Sequence, residues 1–208
     1  MENTKTEKKL FERTWFKLVF SVLMLALSTV LSFIVMYKTN AGASVTAFSL
    51  LPIILVAYIY GVKWGLLTGT VYGLIRLALD FETLGGLSTE ALIGVIALNF
   101  ILAYAVTAFG GAFKKVLKNH GAAFPCGALL CYVLSFLCHF ISDAVFIGDI
   151  SGNPASAVRE AFSSNVATMG VEIVVLIIAA AILAGSYGLI NLSKKNEFAI
   201  GVHLSPRR

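Results

Sequence analysis

Charged residues are scarce in this chain: Asp, Glu, Lys and Arg make up 13% of its 208 residues, against 58% that are hydrophobic. So few charges cannot clothe a soluble domain of this size, and the bilayer is the expected solvent. Cysteine is rare too. Cys126, Cys131 and Cys138 all fall in one apolar run, where thiols read as small packing residues and not as disulfides or metal ligands. Catalytic signatures are missing: there is no Gly-rich phosphate loop, no HExxH, no paired-cysteine metal motif and no nucleophile elbow around a serine. No catalytic residue, metal or cofactor is assigned. At about 20 residues per spanning helix, the chain has length for six helices with short loops and none for a separate nucleotide-binding domain. The formal charge of +5 would suggest nucleic acid in a soluble protein; here the cations cluster at segment ends, as orientation signals do, and no nucleic-acid partner is expected.

What is present is a series of long apolar runs, which predicts an all-α membrane protein of six transmembrane helices. A basic N-terminal segment, residues 1–17, precedes a six-helix membrane domain at 18–192 and a polar tail at 193–208. The first uncharged run, 18–36, is of spanning length. With its basic head and Ala41-Gly42-Ala43 it also has the outline of a secretory signal peptide, but about 19 apolar residues exceed the usual 7 to 15, so a retained helix is expected. Between 45 and 79 the only charges are Lys63 and Arg76, and Gly61-Val62-Lys63-Trp64-Gly65 marks the turn between helices two and three. Helix four is expected at 91–113, helix five at 122–147 and helix six at 165–192. The stretch 148–164, with Gly152, Pro154, charges and serines, reads as a loop whose middle could form a short surface helix. Trp15, Trp64, Tyr37, Tyr58 and Tyr60 read as interfacial belt residues.

Counting cations on alternate sides of this layout orients it. Lys5, Lys8, Lys9, Arg13, Lys17, Lys63, Lys114, Lys115, Lys118, Lys194, Lys195, Arg207 and Arg208 share one side, 13 of the 16, so both termini are expected to be cytoplasmic. The other side carries Lys38, Arg76 and Arg159 against seven carboxylates, an acidic mouth that would draw in a cationic solute.

Ionisable groups inside spanning segments are costly and are site candidates by default. His139 and Asp143 are four residues apart and share a face of helix five. Asn165, Thr168 and Glu172 form a stripe running about 10 Å inward along helix six. Tyr72, Arg76 and Asp80 form another on helix three, and Asn99 sits near the middle of helix four. Each has a plainer reading. His139 and Asp143 can simply satisfy one another, Arg76 and Asp80 can be a structural pair, and Asn99 can be interhelical glue. Glu172 is hardest to explain structurally, because a carboxylate in such an apolar run needs a partner or a proton.

The chain resembles the S-components of energy-coupling factor transporters, above all their thiamine-specific branch. Ser49-Leu50-Leu51-Pro52-Ile53 and 61–69 are similar to the family's second and third helices; His139-Phe140-Ile141-Ser142 through Phe146, then Asn165 through Met169 to Glu172, are similar to the thiamine branch in order and spacing. The resemblance implies a bacterial plasma-membrane protein that binds thiamine near the outer surface and works with a transmembrane coupling subunit and two ATPases. It implies pocket roles for His139 and Asn165. Tyr72 stands at a usual tryptophan, Asn99 at a usual glutamate, Phe100 at a usual tyrosine, Ile147 at a stacking tryptophan and Glu160 at a further aromatic. A ring and a carboxylate fewer weaken the complement to a thiazolium cation. The resemblance implies that the first helix packs on the coupling subunit through small residues four apart; here Ala26 is followed four later by Val30, and Ser28 with Ser32 give a polar small pair instead, so close helix approach is expected there. The candidate ligand set is thus His139, Asn165, Glu172, Tyr72, Asn99, Asp143 and Glu160. The alternatives are another small heterocycle or a thiamine precursor as ligand, a secondary transporter relaying protons through Glu172, His139 and Asp143, and an intramembrane enzyme or structural partner subunit.

Overall fold

The computed structural model describes residues 14–38, 44–46, 48–117, 120–148 and 153–185. The polar head and tail fall mostly outside these. Six helices run in chain order: α1 Thr14–Phe33, α2 Leu51–Tyr60, α3 Val62–Asp80, α4 Thr89–Lys114, α5 Gly121–Ile147 and α6 Pro154–Gly185. Four of them, α1, α4, α5 and α6, are long and apolar enough to cross a bilayer. The ten-residue α2 reaches only about 15 Å, half the hydrocarbon thickness. Large apolar side chains point outward along the long helices, among them Val22, Phe33, Ile178 and Ile182, the surface that lipid solvates. The chain is a multi-pass membrane protein.

The inter-helix contacts fix the alternation. Trp64 Nε1 donates to Ser21 Oγ at 2.8 Å, the Tyr72 hydroxyl to the Ser28 carbonyl at 3.2 Å, and Arg76 to Ser32 Oγ at 3.0 Å, so α1 and α3 rise in parallel. The α3–α4 contact is antiparallel and so close that a Cβ on Gly73 would lie 1.9 Å from the Phe100 carbonyl oxygen. Only glycine fits there. Gly61, at φ 90°, turns the chain between α2 and α3 with a backbone conformation that L side chains rarely adopt. Helix α4 is capped by Ser88, whose hydroxyl accepts from Ala91 N at 3.3 Å.

Several boundaries differ from the sequence expectation. Helix one ends at Phe33, and part of the stretch read as the end of helix one and the start of helix two forms a two-stranded antiparallel hairpin, β1 Val35–Lys38 with β2 Ser44–Thr46; its β-branched residues suit a strand. Helix six starts at Pro154, so most of the stretch read as a loop is helical. The Asn153 side chain accepts from Ala155 N and Ser156 N, a cap followed by proline at the first helical position; its first turns are polar, exposing Arg159 and Glu160, so they carried no apolar signal. Tyr58 and Tyr60 are core residues, 1% and 7% exposed, and Trp64 is spent on α1, so these three are not a lipid-facing belt. Ser28 and Ser32 face α3 from inside the bundle, leaving Ala26 and Val30 on the outer face.

Candidate functional site

Where α3, α4, α5 and α6 meet the end of α1, they enclose a cavity of about 280 Å³. That is near the lower end for pockets holding one small molecule, about 300–1,000 Å³. Helix α5 contributes Tyr132, Ser135, His139 and Asp143 at helical spacing, and α6 contributes Ser164, Asn165, Thr168, Met169 and Glu172. Ser32, Ser49, Leu50, Arg76 and Tyr104 complete the wall. The lining is polar because two helices each turn one hydrophilic stripe inward while their other faces stay apolar.

A hydrogen-bonded network ties three helices together at this wall. Asp143 accepts from Asn99 Nδ2 at 3.3 Å and from Asn165 Nδ2 at 2.7 Å. His139 Nδ1 lies 3.1 Å from Asn99 Oδ1, so His139 and Asp143 are joined through Asn99. Seven residues along α6, Glu172 accepts a hydrogen bond from the Tyr132 hydroxyl. Arg76 is held at 2.5 Å by Asp80 and at 3.0 Å by Ser32, the structural pair anticipated from sequence. Edge-to-face ring contacts link Tyr72 to Tyr104 at 5.2 Å and Tyr104 to His139 at 6.3 Å between centroids.

The structure therefore gathers His139, Asp143, Asn165 and Glu172 around one cavity, with Asn99 bonded to two of them. Tyr72 stands behind Tyr104, fully buried and bonded to α1. Glu160 lies on the exposed face of α6, and Ile147 is likewise exposed; neither lines the cavity. Sequence reasoning missed Tyr104, Tyr132 and Ser135. Their only signal is a hydroxyl inside an apolar run, and tyrosine and serine are common enough in membrane helices that this singles out nothing. Among the described residues, no group of histidine, cysteine and carboxylate side chains could hold a metal ion.

Comparison with known proteins places this architecture. The profile of the thiamine transporter protein family (Thia_YuaJ) matches residues 18–191. The thiamine transporter ThiT of Bacillus subtilis is 29% identical over 119 residues, covering 53% of this chain and 58% of that protein; the aligned part thus spans little more than half of the relative's length. A solved structure of ThiT from Listeria monocytogenes superposes with a TM-score of 0.58 at 19% identity, over 86% of this chain and 94% of the other, which shows a common all-α membrane fold. With the family's profile running through all six helices, the chain belongs to the thiamine transporter protein family, the branch its sequence resembles.

Proposed function

We propose that this protein is the thiamine-binding membrane subunit of a vitamin importer, an S-component that passes its ligand across the bacterial plasma membrane together with a transmembrane coupling subunit and two ATPases. The observation that carries the reading is the cavity of a family member in which His139 and Asn165, from two helices, converge with two carboxylates. A thiazolium-bearing heterocycle needs anionic complement, ring contacts and a few fixed polar partners; Asp143, Glu172, Tyr104, His139 and Asn165 are of those types. The chain hydrolyses nothing in this scheme, and energy comes from its partners.

The wall is poorer in large rings than a tryptophan-lined pocket. Trp15 is exposed at the start of α1 and Trp64 is bonded to Ser21, so phenol and imidazole rings remain to stack on the ligand. Thiamine should therefore bind with modest affinity. Calorimetry of the purified protein against a panel of vitamins and thiamine precursors tests this: saturable binding of thiamine is expected, and binding of a different heterocycle without thiamine would move the ligand assignment. Uptake by vesicles with and without the coupling subunits tests the partnership; full uptake by the chain alone would favour proton-coupled secondary transport.

A further inference from the structure

The polar line beside the cavity has donors and acceptors that follow from chemistry. It starts at the Ala161 carbonyl, which can only accept. Asn165 Nδ2 lies 2.9 Å from it and 2.7 Å from Asp143 Oδ2, so the two hydrogens of that NH2 group serve both. Asn99 Nδ2 reaches the other oxygen, Asp143 Oδ1, at 3.3 Å. A carboxylate accepts and does not donate, which leaves Asn99 one orientation: NH2 toward Asp143 and Oδ1 toward His139 Nδ1, 3.1 Å away. An amide oxygen also only accepts. The hydrogen of the neutral imidazole is therefore on Nδ1, and Nε2 is left bare as an acceptor.

We propose that Asp143 is a positioning residue: acting through Asn99, it holds the His139 proton on Nδ1, so that this cavity-lining ring offers Nε2 as an acceptor matched to an N–H donor of the ligand. The local backbone favours the pairing. Asn99 lies in a π-helical stretch of α4, Ile96–Leu102, and Asp143 opens another in α5, Asp143–Ile147; such widened turns are rare and concentrate at functional positions. The Phe146 ring, in the second stretch, packs onto Gly94, two residues before the first, so tightly that a Cβ there would lie 2.3 Å from it, which holds α4 close to α5 beside the pair. Asp143 is not spent on a salt bridge. The one among the described residues joins Arg76 to Asp80.

This rests on the reading that the cavity holds thiamine, whose aminopyrimidine carries an exocyclic amine. The test has two arms. Nitrogen-15 spectra of histidine-labelled protein without ligand, at a pH where the ring is neutral and with the signal assigned through His139→Gln, should show His139 protonated at Nδ1 and bare at Nε2. Asp143→Asn should move the proton to Nε2, because Asn165 holds the new amide's oxygen and so turns its NH2 toward Asn99, which then presents its own NH2 to Nδ1; Asp143→Glu should keep the Nδ1 form. In the second arm, wild type should prefer thiamine over the analogue whose amine is replaced by oxygen by roughly ten- to a hundredfold, and Asp143→Asn should lose most of that preference. An Nε2-protonated ring in wild type, or an unchanged preference in Asp143→Asn, would overturn the proposal. If that variant does not fold, the wild-type and Asp143→Glu spectra decide alone. A ring in the expected tautomer in a protein that binds neither compound would overturn the ligand reading and leave the relay standing.

Discussion

The four polar residues that meet at the cavity differ in what each can lose. Truncating His139 or Asn165 leaves ligand polar atoms unpaired in a desolvated place, at about 1–3 kcal/mol each, roughly a five- to 150-fold rise in Kd. Titration of both alanine variants checks this, beside their melting temperatures. If affinity holds in both while melting falls, the residues are structural. Glu172→Gln is a cleaner probe of charge, since a glutamine oxygen still accepts from the Tyr132 hydroxyl. A larger loss than in either truncation is expected for a cationic ligand, and no loss for a neutral heterocycle. These residues were legible in the sequence because an ionisable group or carboxamide inside an apolar run is costly enough to need a reason. Glu160 stands apart from the cavity because helix α6, already formed at that position, turns it outward. Ser28 and Ser32 make their close approach to α3 within the bundle, a choice the sequence leaves open because small polar residues suit a partner subunit and a neighbouring helix equally well.

At the scale of the element, close approach decides what each helix tolerates. On α3, Gly73 has the Phe100 carbonyl where its Cβ would go, at 1.9 Å. Gly73→Ala must push α3 from α4, a strain of the overpacking kind worth about 1–3 kcal/mol, and a lower melting temperature in detergent is the expected result. Gly170 on α6 is the contrast: a Cβ there meets Val166 at an ordinary 3.7 Å, so Gly170→Ala should leave melting unchanged or raise it, by up to about 1 kcal/mol of helix propensity. Equal losses in the two variants would mean that packing against α4 is not what reserves Gly73 for glycine. The helices themselves were legible because hydropathy reads their length. The hairpin after α1 and the polar first turns of α6 were not, since one is too short for a periodic signal and the other has no apolar face. The π-helical stretches carrying Asn99 and Asp143 have no sequence signature, which is why a shared face predicted a direct contact between His139 and Asp143 where the structure inserts Asn99.

Across the whole molecule the alternation of the six helices sorts the charges by end. Lys17 sits over the Tyr60 ring at 5.8 Å and Lys114 donates to the Tyr58 carbonyl, so the start of α1, the end of α2 and the end of α4 share one end, with Lys63 beside them just past Gly61. The Arg76–Asp80 pair at the end of α3 belongs to the opposite end. So does the Asp143–Asn165 contact, between the last turn of α5 and the first half of α6. The sequence count of cations rests on this same up-and-down order. We propose that the basic end is cytoplasmic, because cytoplasmic segments retain lysine and arginine during insertion; the cavity then opens outward and both termini lie inside. Single cysteines in a background lacking Cys126, Cys131 and Cys138 test it. Glu82→Cys and Lys115→Cys replace exposed residues at opposite ends, so neither change disturbs the packing. In intact cells a membrane-impermeant maleimide should label Glu82→Cys and spare Lys115→Cys, and permeabilised cells should label both. The reverse pattern would invert the protein, turn the cavity to the cytoplasm and remove import as its direction. Labelling of both sites in intact cells would mean that the ends of α3 and α4 share a side, which contradicts their antiparallel packing.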